Sequence, residues 1–218
     1  MRRLLMATLL CTAAVTPSAT RGQERGITRL PHPVTDGPVS LEQALMRRRS
    51  IREFTKDELT LAQISQLLWA VQGITDPAGL RTAPSAGALY PLEVYVATRA
   101  GLDHYEPDGH RLVRVADRDV RTALAAAAHQ ETVAGAPVVF VITALPARTA
   151  AKYGAARATR YVTLEAGHAA QNLLLQAVTL GLGAVVVGAF DDDAVRQVLG
   201  TPREHLPLYL VPAGHPRR

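Results

Sequence analysis

Arg47-Arg48-Arg49-Ser50-Ile51-Arg52-Glu53-Phe54 is the stretch on which the reading of this chain turns. Four arginines and a serine fall within six residues, directly after the amphipathic run Leu41-Glu42-Gln43-Ala44-Leu45-Met46. Guanidinium forks, a hydroxyl and nearby backbone donors are what a phosphate group requires. A solvated basic helix end is the plainer account of the same residues, so the stretch must be weighed with the segments downstream of it.

The first two of these are Pro84-Ser85-Ala86-Gly87-Ala88-Leu89-Tyr90-Pro91-Leu92-Glu93 and Glu165-Ala166-Gly167-His168-Ala169-Ala170-Gln171-Asn172. Gly181-Leu182-Gly183 and Val187-Gly188-Ala189-Phe190-Asp191 come last. In this order and spacing the segments resemble the nitroreductase-like FMN flavoproteins, and among them the SagB/ThcOx-type dehydrogenases. The resemblance runs from about residue 40 to about residue 215. It implies an α+β nitroreductase-like fold, with a central mixed or antiparallel sheet flanked by helices. It also implies a homodimer with flavin at the interface.

The 218 residues are 48% hydrophobic, enough for one domain with a sizeable core. The net charge of +5 is largely local, at Arg2-Arg3, at 47–52 and at Arg217-Arg218. No aromatic residues interleave with the basic cluster, and no nucleic-acid-binding signature is present, so a nucleic-acid partner is not expected. Residues 1–22 read as a signal peptide: Arg2-Arg3 as the basic start, a mostly apolar run at 4–15 too short to span a bilayer, then small and polar residues. The expectation is an exported protein, periplasmic or extracellular, with no stable membrane span after cleavage. Arg2-Arg3 is a twin arginine without most of the surrounding export consensus, so the route stays open. The lone Cys11 lies in this segment, which leaves no cysteine for disulfide or thiolate chemistry in the mature chain.

Residues 23–39 read as an extended arm and 40–218 as the FMN-binding domain. Ser40 is an expected N-cap for a short helix, and Thr60 for a longer one whose Leu61, Ile64, Leu67, Leu68 and Val71 share a face up to Gly73. Residues 93–98 alternate as a strand, and 101–112 read as a hairpin around Pro107-Asp108-Gly109. A helix is expected at 119–128, a buried strand at 137–144, a long helix within 150–180, a strand at 184–187, a capped helix at 191–199 and a strand at 206–211. The helix 165–180 carries apolar or small residues on most faces and should be buried on all sides, against a second subunit as well as the sheet. His168 is then read as a structural, hydrogen-bonded histidine. Asp191-Asp192-Asp193 reads as capping, and His104, His110 and His129 lack the spacing of metal ligands.

The resemblance assigns roles residue by residue. Arg48, Arg49 and Ser50 fall on the phosphate or ribityl chain of FMN, and Arg52 near the pyrimidine edge of the ring. Pro84, Ser85, Ala86 and Gly87 carry small side chains that let backbone approach a flat ring. Gly188 and Ala189 stand where a backbone N–H faces flavin N5, and Arg217 where basic residues beyond the terminal Gly-x-Pro segment complete the phosphate site. Lys152 and Tyr153 match the catalytic Lys-Tyr pair of the azoline oxidases, where proton loss must accompany hydride removal beside nitrogen. From the residues alone the pair is a surface lysine and a packing tyrosine at a helix start. The implied activity is hydride transfer between a small-molecule or peptide-derived substrate and flavin. The alternatives are an NAD(P)H-dependent nitro or quinone reductase, or a flavin-binding interaction subunit without turnover.

Overall fold

A computed structural model describes residues 26–217 of the chain. The signal-peptide reading of 1–22 and Arg218 therefore lie outside the described residues. Seven strands form one sheet: β1 (Ile27–Arg29), β2 (Leu92–Thr98), β3 (Gly101–Glu106), β4 (Arg111–Ala116), β5 (Val138–Ala144), β6 (Gly183–Ala184) and β7 (Leu206–Gly214). Their order is β1-β4-β3-β2-β5-β7-β6, and every paired neighbour runs antiparallel. The one parallel element is an isolated bridge from Ser50 to Ala184.

Helices cover both faces. On one side α2 (Leu61–Gln72) and α6 (Ala155–Thr179) bury Leu67, Leu68, Val162, Leu173 and Ala177 against Val138, Phe140 and Ile142 of β5. On the other, α3 (Arg121–Ala128), α4 (Glu131–Gly135) and α7 (Asp192–Leu199) pack on Val139 and Val141. Strand β5 is thus buried at every position, which is why its sequence is a continuous apolar run with no alternation.

The caps fall where side-chain chemistry places them. Ser40 Oγ accepts from the Gln43 N–H and opens α1 (Leu41–Arg47). Thr60 and Gln63 form a reciprocal capping box at the start of α2. Gly73 ends α2 with an ordinary negative φ; a Cβ there would run into the Trp69 ring and carbonyl, so close approach rather than a left-handed turn requires glycine. The hairpin β3–β4 turns through Pro107, with the His110 N–H donating to its carbonyl at 3.1 Å.

The structure departs from the sequence reading in four places. The strand expected at 184–187 is two residues of β6 plus a single bridge from Val187 to Leu210. The extended arm contributes β1, too short to show a period, and Gln66 clasps Val34 by two hydrogen bonds of 2.8 and 2.9 Å. The region 150–180 is broken by Gly154 (φ +79) into α5 (Pro146–Tyr153) and α6, so Lys152 and Tyr153 end one helix instead of starting another. Finally, His168, expected to be a structural hydrogen-bonded histidine, is exposed on α6, although Ala166, Ala169, Ala170 and Leu173 around it are buried. Small residues on a helix permit close packing on every side, but one sheet covers only one of those sides.

Candidate functional site

The arginine segment is held by backbone. Beyond α1 the chain runs extended, with the Ile51 N–H donating to Ala184 O at 3.1 Å. The C-terminal tail lies along its other edge: Thr55 N–H donates to His215 O at 2.8 Å, and Arg217 N–H to Glu53 O at 3.0 Å. Phe54 anchors the segment, 4% exposed and bridged to Pro216. Arg217 is thereby brought to the arginine stretch from 163 residues away along the chain, counting 217 minus 54. Arg48 is half-buried, while Arg47, Arg49, Ser50, Arg52 and Arg217 are exposed. Arg49 folds back on the helix end, its Nη1 donating to Met46 O at 3.0 Å and Arg48 O at 2.7 Å, the usual service of a cation to unpaired helix carbonyls. The Arg52 carbonyl accepts from Thr132 Oγ1 at 2.8 Å, tying the segment to α4.

Gly188 and Ala189 lie exposed after Val187, whose N–H and C=O both pair with Leu210, at 2.8 and 3.0 Å. An added Cβ at Gly188 would sit at ordinary contact distance, 3.6 Å from Tyr209 Cε1, so nothing within the chain demands glycine there.

Residues 84–90 are built quite differently. Gly87, Ala88 and Tyr90 all have left-handed backbone, with φ of 65°, 53° and 46°. Two of the three carry a side chain, so the loop is strained and its surroundings must hold it. Ser85 Oγ donates to Glu165 Oε2 at 2.6 Å and accepts from the Tyr90 N–H at 2.9 Å. The Tyr90 carbonyl accepts from Arg148 Nη1 at 3.2 Å, and its hydroxyl accepts from the Arg81 N–H at 3.2 Å. Arg81 also lies over the Tyr90 ring, 4.6 Å from its centroid, and donates to Gln72 Oε1 at 2.6 Å.

Lys152 and Tyr153 stand against this loop. A Cβ at Gly87 would lie 2.9 Å from Tyr153 Oη and 3.0 Å from Lys152 Nζ. Tyr153 packs edge-on against Tyr161 of α6, with ring centroids 5.1 Å apart. Arg148, one turn before Lys152 on α5, pairs with Glu93, which also takes a 2.6 Å contact from His104. Those two partners hold the Glu93 carboxyl below its ordinary range, although burial pushes the other way. Glu165 is the opposite case: burial raises it to about 7, against the Ser85 hydrogen bond and the Arg81 charge.

The structure therefore gathers most of the expected residues into two groups, with Gly188 and Ala189 following Val187 between them, level with Leu210 and Val141. Ser50 lies level with Ala184, Ala213 and Val138 at one end of the sheet. Leu92, Ala144 and Leu206, the level from which the Pro84–Gly87 loop and α5 depart, mark the other end. The six residue steps of β5 between them span about 20 Å. Helix α6 gives the same measure: from Glu165, bonded to Ser85, to Thr179 it rises roughly 20 Å towards β6.

Glu165, Arg81 and Arg148 were given no role by the sequence reading. A lone acid among the mostly small and apolar residues 162–170 was the available signal for Glu165; the two arginines carried none.

The sequence profile of the Nitroreductase family matches residues 45–215, which is most of the chain. The chain belongs to the nitroreductase family. A protein of Methanocaldococcus jannaschii that carries the name nitroreductase is 45% identical over 183 residues, covering 81% of this chain and 91% of its own length. An FMN reductase (NADPH) of Bacillus subtilis is 27% identical over 180 residues, 80% of this chain and 65% of that one. Among solved structures, a nitroreductase-named protein of Ralstonia eutropha JMP134 superposes with a TM-score of 0.81 at 30% identity, covering 97% of both chains. Members of this family are flavin oxidoreductases, and they typically use FMN. The chain is thus a nitroreductase-family oxidoreductase related to the FMN reductases.

Proposed function

We propose that this protein is an FMN-dependent oxidoreductase of the SagB/ThcOx dehydrogenase type, working as an exported homodimer. The observation that carries the reading is the meeting of Lys152 and Tyr153 with Gly87, two sequence-distant segments assigned to one reacting centre. The residues fit an FMN. Arg48, Arg49, Ser50 and Arg52 sit on a segment made rigid by backbone bonds to β6 and to the tail that bears Arg217. Pro84, Ser85, Ala86 and Gly87 offer a small-residue wall that a Cβ at Gly87 would obstruct. Gly188 and Ala189 lie exposed beyond Val187.

FMN, when bound, takes up or gives a hydride at N5. The chain's own part is to hold the phosphate by arginine, to seat the ring on small residues and to receive a proton. Lys152 as the free amine, or Tyr153 as the phenolate beside the Lys152 ammonium (Nζ 5.6 Å from the ring centroid), is the acceptor for a proton lost from carbon beside nitrogen.

The homodimer is supported by the separation of the two groups, which one chain keeps about 20 Å apart. A second copy supplies the missing half to each flavin. The exposed apolar side chains Leu41, Leu45 and Met46 on α1 and Leu164 on α6 are suited to that contact. Sedimentation should give a dimer at micromolar concentration; a flavin-loaded monomer would end the shared-site reading.

Chromatography of the heat-released cofactor should yield FMN. An anaerobic screen for donors that bleach the bound flavin then tests the activity: C–N-containing small molecules and peptide-derived azolines should bleach it. Bleaching by NAD(P)H alone would instead support the nitro or quinone reductase reading, which the likeness to the B. subtilis NADPH enzyme favours.

A further inference from the structure

We propose that Glu165 is a positioning residue: through the Ser85 hydroxyl, its side chain latches loop 84–90 in the left-handed form that sets Gly87 against Lys152 and Tyr153. The inference rests on the reading of Lys152 and Tyr153 as the reacting face, and adds to it the device that keeps that face in shape.

Three observations converge on Glu165. It is 3% exposed, on a helix whose other buried neighbours are alanine, valine and leucine. A carboxyl group in such a place costs more than any apolar side chain of its size, so its retention asks for a task. Its Oε2 accepts the only proton Ser85 Oγ has to give, at 2.6 Å, which turns a serine lone pair towards the Tyr90 N–H at 2.9 Å. Glu165, Ser85 and Tyr90 therefore form a single file from helix α6 to the far end of the loop. Its other oxygen, Oε1, is buried without a protein partner, as are Arg81 Nε and Gln72 Nε2 nearby. The group is aimed into a polar interior formed with α2 and the loop.

The loop needs such a file. Its left-handed residues Ala88 and Tyr90 would relax to ordinary backbone if released, because each carries a Cβ. The Arg148 and Arg81 contacts hold the outer side of Tyr90, its carbonyl and its ring. Among the described residues, the Ser85 contact holds its N–H and Glu165 orients the Ser85 hydroxyl. Loss of the file leaves Gly87 free to leave Lys152 and Tyr153.

Amide hydrogen exchange on the full chain reads the latch without reference to catalysis. Glu165→Ala should speed exchange at the Tyr90 amide roughly tenfold, the loss of about one hydrogen bond, with the β5 amides of Val139 and Val141 unchanged. Glu165→Gln keeps an acceptor for the Ser85 hydroxyl and should keep Tyr90 protected, a rescue that a mere packing role would not show. Should Glu165→Ala fail to fold, Ser85→Ala removes the middle of the file and should expose Tyr90 to the same degree. Wild-type exchange at Tyr90 in Glu165→Ala or Ser85→Ala, or lost protection in Glu165→Gln, overturns the latch. Donor-driven flavin bleaching is the separate readout. Fast Tyr90 exchange with wild-type bleaching leaves the latch standing and removes loop 84–90 from the reacting face.

Discussion

Residues 48–54 and residues 84–90 are both irregular segments at an end of the sheet, and they keep their shape by different means. The first is held by main chain: bonds to Ala184, to His215 and from Arg217 run along its two edges. The second is held mainly by side chains: Ser85, Glu165, Arg148 and the Arg81 guanidinium over the Tyr90 ring fasten a backbone with three left-handed residues in four. A segment fastened by its backbone can change its exposed side chains and keep its place, so substitutions at its arginines should alter binding alone. A segment fastened by side chains loses its geometry when one of them loses the group that makes the contact.

The contrast is broken most severely at the pair facing the second segment. Lys152→Ala and Tyr153→Phe should retain FMN and lose about 100-fold or more in donor-driven flavin reduction, the scale of a positioned proton acceptor. Stopped-flow bleaching with the true donor checks this, and wild-type rates in both variants would exclude the azoline-oxidase mechanism. Next comes Gly87→Ala. It meets a left-handed φ and the ends of Lys152 and Tyr153 together, and should cost about 2 kcal/mol in denaturant unfolding. Gly188→Ala, whose Cβ would meet Tyr209 at an ordinary contact distance, should cost far less, which sharpens the comparison between the two glycines.

In the backbone-held segment, Arg48→Ala should weaken FMN by about 1.5 kcal/mol or more, with unfolding stability unchanged. Flavin titration of the apo variant measures the first and thermal unfolding the second. Equal affinity would remove Arg48 from the phosphate site.

A pH-dependent effect concerns Glu165. Its folded carboxyl lies near 7, raised by burial from the ordinary 4.5, so between those values the native state holds a proton that the unfolded chain has released. Stability from this group is present below about 4.5 and declines as pH rises through 7. Glu165→Gln has no such charge to bury. Its Tm should match wild type near pH 4 and exceed it at pH 8; a constant difference across that range would contradict the assignment.

The legible parts of the fold were those governed by local rules. The capping box at Thr60, the hairpin around Pro107-Asp108-Gly109 and the continuous apolar run of β5 each declare themselves within a dozen residues. The arginine segment was legible for the same reason, since four cations of one motif are adjacent in the chain. Strand β1 and the short β6 were not, because two or three residues show no period and owe their conformation to the strands beside them.

The amino-acid sequence alone thus determined most of the helices, the main strands, the family and the presence of the cationic and small-residue motifs, all of which are encoded by neighbours within a few turns. Tertiary structure alone decided that Lys152 and Tyr153 close α5 beside Gly87, that Glu165 reaches Ser85 across 80 residues, and that the arginine segment and loop 84–90 lie at opposite ends of one sheet. The physical reason is that hydrogen bonds and close contacts between distant segments depend on strand order and register. No local spacing carries that information.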